Sequence, residues 1–235
     1  MNEPTVERVL AVMAHPDDVD FGAAGSIAQW TDAGIEVTYC IVTDGDAGGF
    51  DPAVPRSEIG AIRREEQVNA AKHVGVSDVR FLGYRDGRLE VTFELRRDIA
   101  RVIREVRPQR VVCQSPQRHM LRIAASHPDH LAAGEATLCA VYPDARNPFA
   151  FAELVQLEAW SVAETWVVGS ERNNHYVDVT DTFDRKMAAL HAHVSQHPQP
   201  EKLEPIVRDW NTANATEAGL PSGRLAEAFW VLETA

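Results

Sequence analysis

Cysteine is scarce in this sequence: three in 235 residues, at positions 40, 113 and 139, with no CxxC spacing. An odd, dispersed set excludes a disulfide framework and a cysteine-built zinc ribbon. Cys40 and Cys113 lie in apolar runs of β character, so buried, reduced thiols in a cytoplasmic protein are expected. Long apolar runs are missing too. Stretches such as Val9 to Ala14 are far too short to cross a bilayer. The start carries Glu3 and Glu7 where a secretory leader would carry basic residues and then a long apolar run, so no leader is expected. Positive charge is in deficit. Lys plus Arg is 23 and Asp plus Glu is 35, so 23 − 35 gives −12, and the pI is near 5.2. Such a body repels phosphate backbones, which argues against nucleic acid as a partner. Two catalytic signatures are also absent. Without G-x-S-x-G a serine hydrolase of the nucleophile-elbow type is disfavoured. Without G-x-x-x-x-G-K-[ST] so is a P-loop enzyme.

What is present is a globular composition, 45% hydrophobic and 25% charged, of a length that suits one large α/β domain over 1–235. The first half alternates strand-like and helix-like segments. Strands are predicted at Arg8 to Met13, Glu36 to Thr43, Val79 to Leu82 and Arg110 to Gln114. Helices are predicted over Gly22 to Ala33, Arg56 to Val74, Thr92 to Arg107 and Pro128 to Val141, several closed by Gly or Pro. Further on, Thr165 to Val168 and His175 to Val179 read as strands, and Thr182 to Gln196 as a helix. Alternating α and β with apolar strands predicts a Rossmann-like, three-layer α/β fold on a mostly parallel sheet, with a less regular C-terminal part. Ligands of such sheets bind beyond the carboxyl ends of the strands.

Two short motifs fall there. Ala14-His15-Pro16-Asp17-Asp18 follows the first strand, and His127-Pro128-Asp129-His130 opens the helix after the fourth. A hydrolytic zinc site takes three protein ligands and keeps one position for water. His15, Asp18 and His130 are the natural ligand set. Asp17 is then left to accept a proton from the water, and His127 to donate one or to steady an oxyanion. Taken singly, each motif also reads as a helix cap.

The paired motifs, with TDGDAGG at 43–49, RREE at 63–66, LGYRDGRL at 82–89, SHPDHLAAGEA at 126–136 and DRKMAALHAHVSQ at 184–196, resemble the LmbE-like, or PIG-L-like, metal-dependent N-deacetylases. The resemblance implies the same Rossmann-like fold and removal of an acyl group from an N-acetylated amino sugar or related amide. It implies Zn²⁺, or another divalent transition metal such as Fe²⁺, on His15, Asp18 and His130. It implies Asp17 as general base, His127 as acid or oxyanion helper, and Arg63 and Asp86 in contact with sugar hydroxyls. The HxSQ segment implies that His193 lines the cleft. The expected partner is a small N-acylated substrate, and a homo-oligomer is compatible with the sequence. Two positions depart from many relatives: Val19 replaces a Glu, and Ala125 replaces a Tyr. Arg118, His119 and Arg122 are candidates to supply the donor that the Tyr would have given.

Several features have plainer readings. Asp44 to Gly49 reads equally as a substrate-facing loop or a turn. Without the resemblance, Arg63 and Glu66 read as a surface pair. Arg97, Arg101 and Arg104 read as a solvated helix face. Competing functions are a Mg²⁺-dependent phosphoryl site of receiver type, which leaves both histidines idle, and a scaffold with a structural metal, which lacks a fourth ligand.

Overall fold

A computed structural model describes residues 5–120, 123 and 126–235. Seven strands form one sheet: β1 (Arg8–Met13), β2 (Glu36–Thr43), β3 (Asp78–Tyr84), β4 (Arg110–Gln114), β5 (Glu164–Val168), β6 (His175–Asp178) and β7 (Ala226–Glu233). Their order is β3-β2-β1-β4-β5-β7-β6. The five strands from β3 to β5 run parallel, and β7 pairs antiparallel with both β5 and β6. Six helices cover the sheet: α1 (Asp18–Asp32), α2 (Arg56–His73), α3 (Phe93–Val106), α4 (Pro128–Cys139), α5 (Phe183–His191) and α6 (Leu203–Glu217).

Alternation along the buried strands divides the core in two. Val9, Ala11, Met13, Tyr39 and Ile41 face α1 and α2, meeting Ala23, Ile27, Ala70 and Ala71. Leu10, Val12, Cys40, Val42 and Val111 face α3 and α4, meeting Leu95, Ile99, Ile103, Ala133 and Ala136. This is the predicted three-layer arrangement.

The differences are local. Helix α1 starts at Asp18 and runs through Gly22 and Gly25. The two glycines serve close packing: a Cβ at Gly25 would lie 2.7 Å from the Val179 side chain, and one at Gly22 3.2 Å from that of Val168. Helix α5 stops at His191, well short of Gln196. There Glu66 captures both the N–H and the hydroxyl of Ser195, each at 2.7 Å, and draws the chain off the helical path. Neither α6 nor β7 was expected.

Other expectations need correction. Cys40 and Cys113 are buried, and burial pushes each thiol up to about 12. Cys139 is only half-buried, on the side of α4 that carries the exposed Glu135, to whose carboxylate its thiol donates. Arg97 and Arg101 pair with Asp98 on the surface, but Arg104 is buried. Its guanidinium donates to the carbonyls of Asp144, Ala145, Asn147 and Leu154, so it fastens a loop. No helix among the described residues is long and apolar enough to cross a membrane.

Candidate active site

From β1 the chain goes outward to β2 and β3, then returns to the other side of β1 as β4. A crevice opens beyond the carboxyl ends at such a reversal. Both motifs emerge there. The exit of β1 is pinned from both sides: the Ala14 N–H donates to Gln114 Oε1 at 2.9 Å, and its carbonyl accepts from the Thr43 N–H at 2.8 Å. Asp17 then takes a left-handed conformation, φ 91°, as the residue before α1, and Asp18 is the first residue of that helix. A non-glycine residue held at such a φ stores local strain, which Asp tolerates better than most. Across the crevice, His127 caps α4 by accepting the Asp129 N–H on Nδ1 at 3.2 Å, with Pro128 in the first turn. The capping reading of His127 therefore holds.

Three side chains converge. His15 Nδ1 lies 3.2 Å from His130 Nε2 and 3.2 Å from Asp18 Oδ2, and His130 Nε2 lies 3.1 Å from Asp18 Oδ1. Ligand bonds of 2.0–2.1 Å around a tetrahedral ion put neighbouring donors about 3.4 Å apart. The contact between the two imidazoles and the contacts that each makes with a different Asp18 oxygen are all within a few tenths of an ångström of that spacing. Its electrostatics also call for a cation. Burial works to lower the His15 pKa, but Asp18, Asp129 and Asp86 together push it up to about 12. Burial likewise opposes ionisation of Asp18, and His130 and His15 overcome it and hold that carboxyl well below its ordinary range. The donor set thus fits a divalent ion.

The far side of the His15 ring was not foreseen. Its Nε2 lies 3.1 Å from Asp86 Oδ1 and 3.3 Å from Asp129 Oδ2. Asp129 is almost sealed and accepts the N–H groups of Gly87 and Leu89 as well. With Nε2–H donated to carboxylates, Nδ1 is the nitrogen left for a metal. Carboxylates behind ligating histidines fix the tautomer in this way. His15, Asp86 and Asp129 themselves cluster closely enough to be considered a cation site, as do His15, His127 and His130. The first set is already saturated by backbone donors, and Nδ1 of His127 is engaged by the Asp129 N–H. The His15–Asp18–His130 set is the better one. The signal for Asp129 was present in HPDH, but its neighbours lie about 40 residues and more away in the sequence.

Arg63 is buried beneath Asp17. It donates to Asp17 Oδ2 at 3.0 Å, to the Pro16 carbonyl at 2.6 Å and to the Gly45 carbonyl at 3.1 Å. The surface-pair reading is overturned, since Glu66 points instead to Ser195. The loop after β2 packs on this arginine. A Cβ at Gly48 would lie 2.6 Å from Arg63 Nη1, and one at Gly45 would overlap the guanidinium outright. The same loop meets the next turn, where Ala47 N–H donates to Asp86 Oδ2 and Asp86 N–H to Asp46 Oδ1. Burial raises the Asp17 carboxyl, Arg63 opposes it, and the pKa settles at about 6. His127 is held below its usual value by burial and by His15.

His193 does not line the cleft. It is completely buried behind α1, with Nε2 2.8 Å from Asp20 Oδ2, because α5 ends before reaching it. Arg118 donates to the Ser126 carbonyl and His119 pairs with Glu171. Arg122 and Ala125 lie outside the described residues. Val19 sits in the core.

Known proteins resemble this chain in sequence and in fold. The sequence model of the PIG-L family, described as GlcNAc-PI de-N-acetylase, matches residues 10–141. The chain belongs to the PIG-L family. This PIG-L chain is 34% identical over 213 residues to a diacetylchitobiose deacetylase of Thermococcus kodakarensis, covering 88% of this chain and 78% of the relative. It is 32% identical to a probable N-acetyl-alpha-D-glucosaminyl L-malate deacetylase 2 of Bacillus subtilis, covering 87% and 93%. The solved N,N'-diacetylchitobiose deacetylase from Pyrococcus horikoshii superposes with a TM-score of 0.89 at 31% identity, covering 97% of this chain and 85% of that one.

Proposed function

We propose that this PIG-L family member is a zinc-dependent N-deacetylase that removes an acetyl group from an N-acetylated amino sugar or glycoside. The observation that carries the reading is the triangle of His15 Nδ1, His130 Nε2 and Asp18, with the Asp17 carboxylate beside it. Two imidazole donors suit zinc or a neighbouring transition metal far better than Mg²⁺, which prefers oxygen. Three protein ligands leave a position open, unlike a structural site. A bound ion would supply Lewis acidity, lowering the pKa of a water to about 7 and polarising the amide carbonyl.

The chain's own groups do the rest. Asp17, steadied at Oδ2 by Arg63, takes the proton as water adds to the carbonyl carbon. Since Nδ1 of His127 accepts the Asp129 N–H, its proton resides on Nε2. Neutral His127 is therefore the oxyanion donor, and not the acid. When the C–N bond breaks, the proton held by Asp17 passes to the departing amine, giving acetate and a free amino sugar. Asp86 and Asp129 hold the His15 ring, and the small part of Asp86 that stays exposed, 9% of its side chain, is assigned to a sugar hydroxyl, whereas Arg63, buried beneath Asp17, serves to steady that carboxylate. We read 1–235 as one domain, and its buried thiols suit the reducing cytoplasm.

The test is acetate release from N-acetylated mono- and disaccharides and glycosides by metal-stripped and zinc-reconstituted protein. Release that returns with zinc supports the reading. No release from any of them by fully metal-loaded protein refutes it.

A further inference from the structure

Asp17 is a left-handed, non-glycine residue at φ 91°, and its backbone is fixed from behind as well as from the Arg63 side. Its N–H donates to Gln67 Oε1 at 2.8 Å. Gln67 Nε2 donates to Asp20 Oδ2 at 3.0 Å, and His193 Nε2 reaches the same oxygen at 2.8 Å. Gln67, Asp20 and His193 are each completely buried. A backbone N–H only donates, so Gln67 must present its oxygen to Asp17. Its amide nitrogen must then face Asp20, Asp20 must accept, and His193 Nε2 must donate. The direction of every bond follows from the first. These residues come from α1, α2 and the segment after α5, so three separate elements converge on one amide.

We infer that Gln67, Asp20 and His193 are positioning residues, a one-way hydrogen-bond chain that holds the Asp17 backbone in its left-handed state and so aims the Asp17 carboxylate. The inference rests on Asp17 acting as the base. It differs from a purely structural role, because its effect passes through Asp17 and through no other group. It also gives His193 a purpose that its burial denies it as a substrate contact. A carboxylate displaced by an ångström loses proton-transfer efficiency while substrate and metal still bind.

The test begins with Gln67→Met, which keeps size and helix propensity but neither hydrogen bond. We expect kcat to fall about tenfold to a hundredfold at full metal content, with KM within about twofold. Added to Asp17→Asn, the same change should lower the residual kcat no further, because the group it aims is gone. Asp20→Asn keeps an oxygen able to accept both donors and should recover most of the activity that Asp20→Leu loses. Normal kcat in metal-loaded Gln67→Met, or a full additional loss in the double variant, overturns the chain. If Gln67→Met does not fold, the Asp20 pair decides: equal kcat in Asn and Leu variants overturns it. Near-normal turnover in Asp17→Asn overturns the base assignment and the chain together. An inactive Asp17→Asn beside a normal Gln67→Met overturns the chain alone.

Discussion

Lys186 and Glu227 form one buried charged cluster beneath α1, and the crevice at the ends of β1 and β4 holds another. Lys186 Nζ lies 2.6 Å from Glu227 Oε1 and donates to the Phe21 carbonyl. The two Glu227 oxygens also accept the N–H groups of Gly25 and Ser26 and the Ser26 hydroxyl. One positive group meets one negative group, and the remaining lone pairs are met by backbone and hydroxyl donors. In the crevice, by contrast, Asp17 and Asp86 share the Arg63 guanidinium, while Asp18 and Asp129 face imidazoles, Asp18 those of His15 and His130 and Asp129 that of His15. The histidines between them are drawn toward protonation. A balanced, saturated cluster locks α1 to α5 and β7. An unbalanced one, open on one side, is prepared to receive a cation. Burial of charge does not separate structure from function, but its balance does.

The comparison breaks most visibly at the metal triangle. His15→Ala or His130→Ala should reduce bound metal to background, measured by elemental analysis, and turnover should vanish with it. Full occupancy in both variants would remove them as ligands. Next comes Asp17→Asn, which keeps the shape and the metal but cannot accept a proton near neutrality. Turnover should fall roughly 10²–10⁴-fold. A metal-free Asn variant would mean that the roles of Asp17 and Asp18 are exchanged.

The balanced cluster should fail in the opposite way. Lys186→Met leaves Glu227 buried without its counter-ion, which typically costs about 3–5 kcal/mol of stability. Urea unfolding should show this loss, while kcat of the folded, metal-loaded fraction stays near normal. A large fall in kcat with stability unchanged would erase the distinction between the two clusters.

The smallest effect is on pH. Burial lowers the His193 pKa, but Asp20 and its acidic neighbours raise it more, so the folded value lies above 6.5. The protonated form is then favoured by folding. Its contribution is fully present below pH 6.5 and is lost as pH rises through the raised folded value. The stability gap between wild type and His193→Gln should therefore narrow as the medium turns alkaline. A gap that is flat with pH, or that widens, would rule out this linkage.

Much of this was legible because it is local. Continuous apolar runs marked β1, β2 and β4, and AHPDD and HPDH carry ligand chemistry within a few residues. What escaped depends on distant partners. Strand β7 contains Glu227, whose counter-ion lies 41 residues earlier, so nothing nearby marks it as an inward-facing charge. His193 shares helical spacing with Lys186 and Leu190, and only the capture of Ser195 by Glu66 shows why the helix stops before it. Arg63 and Glu66 sit one helical turn apart and look like mates. Each has a better partner across the fold.

The tie between Gln114 and the Ala14 N–H also bears on how the protein is made. His15 and Asp18 leave the ribosome early, but His130 follows more than a hundred residues later, and the bond beside His15 needs the last residue of β4. On the proposed ligand set, metal acquisition waits for strand β4 to dock between β1 and β5, and a product truncated before His130 offers no complete site to the ion.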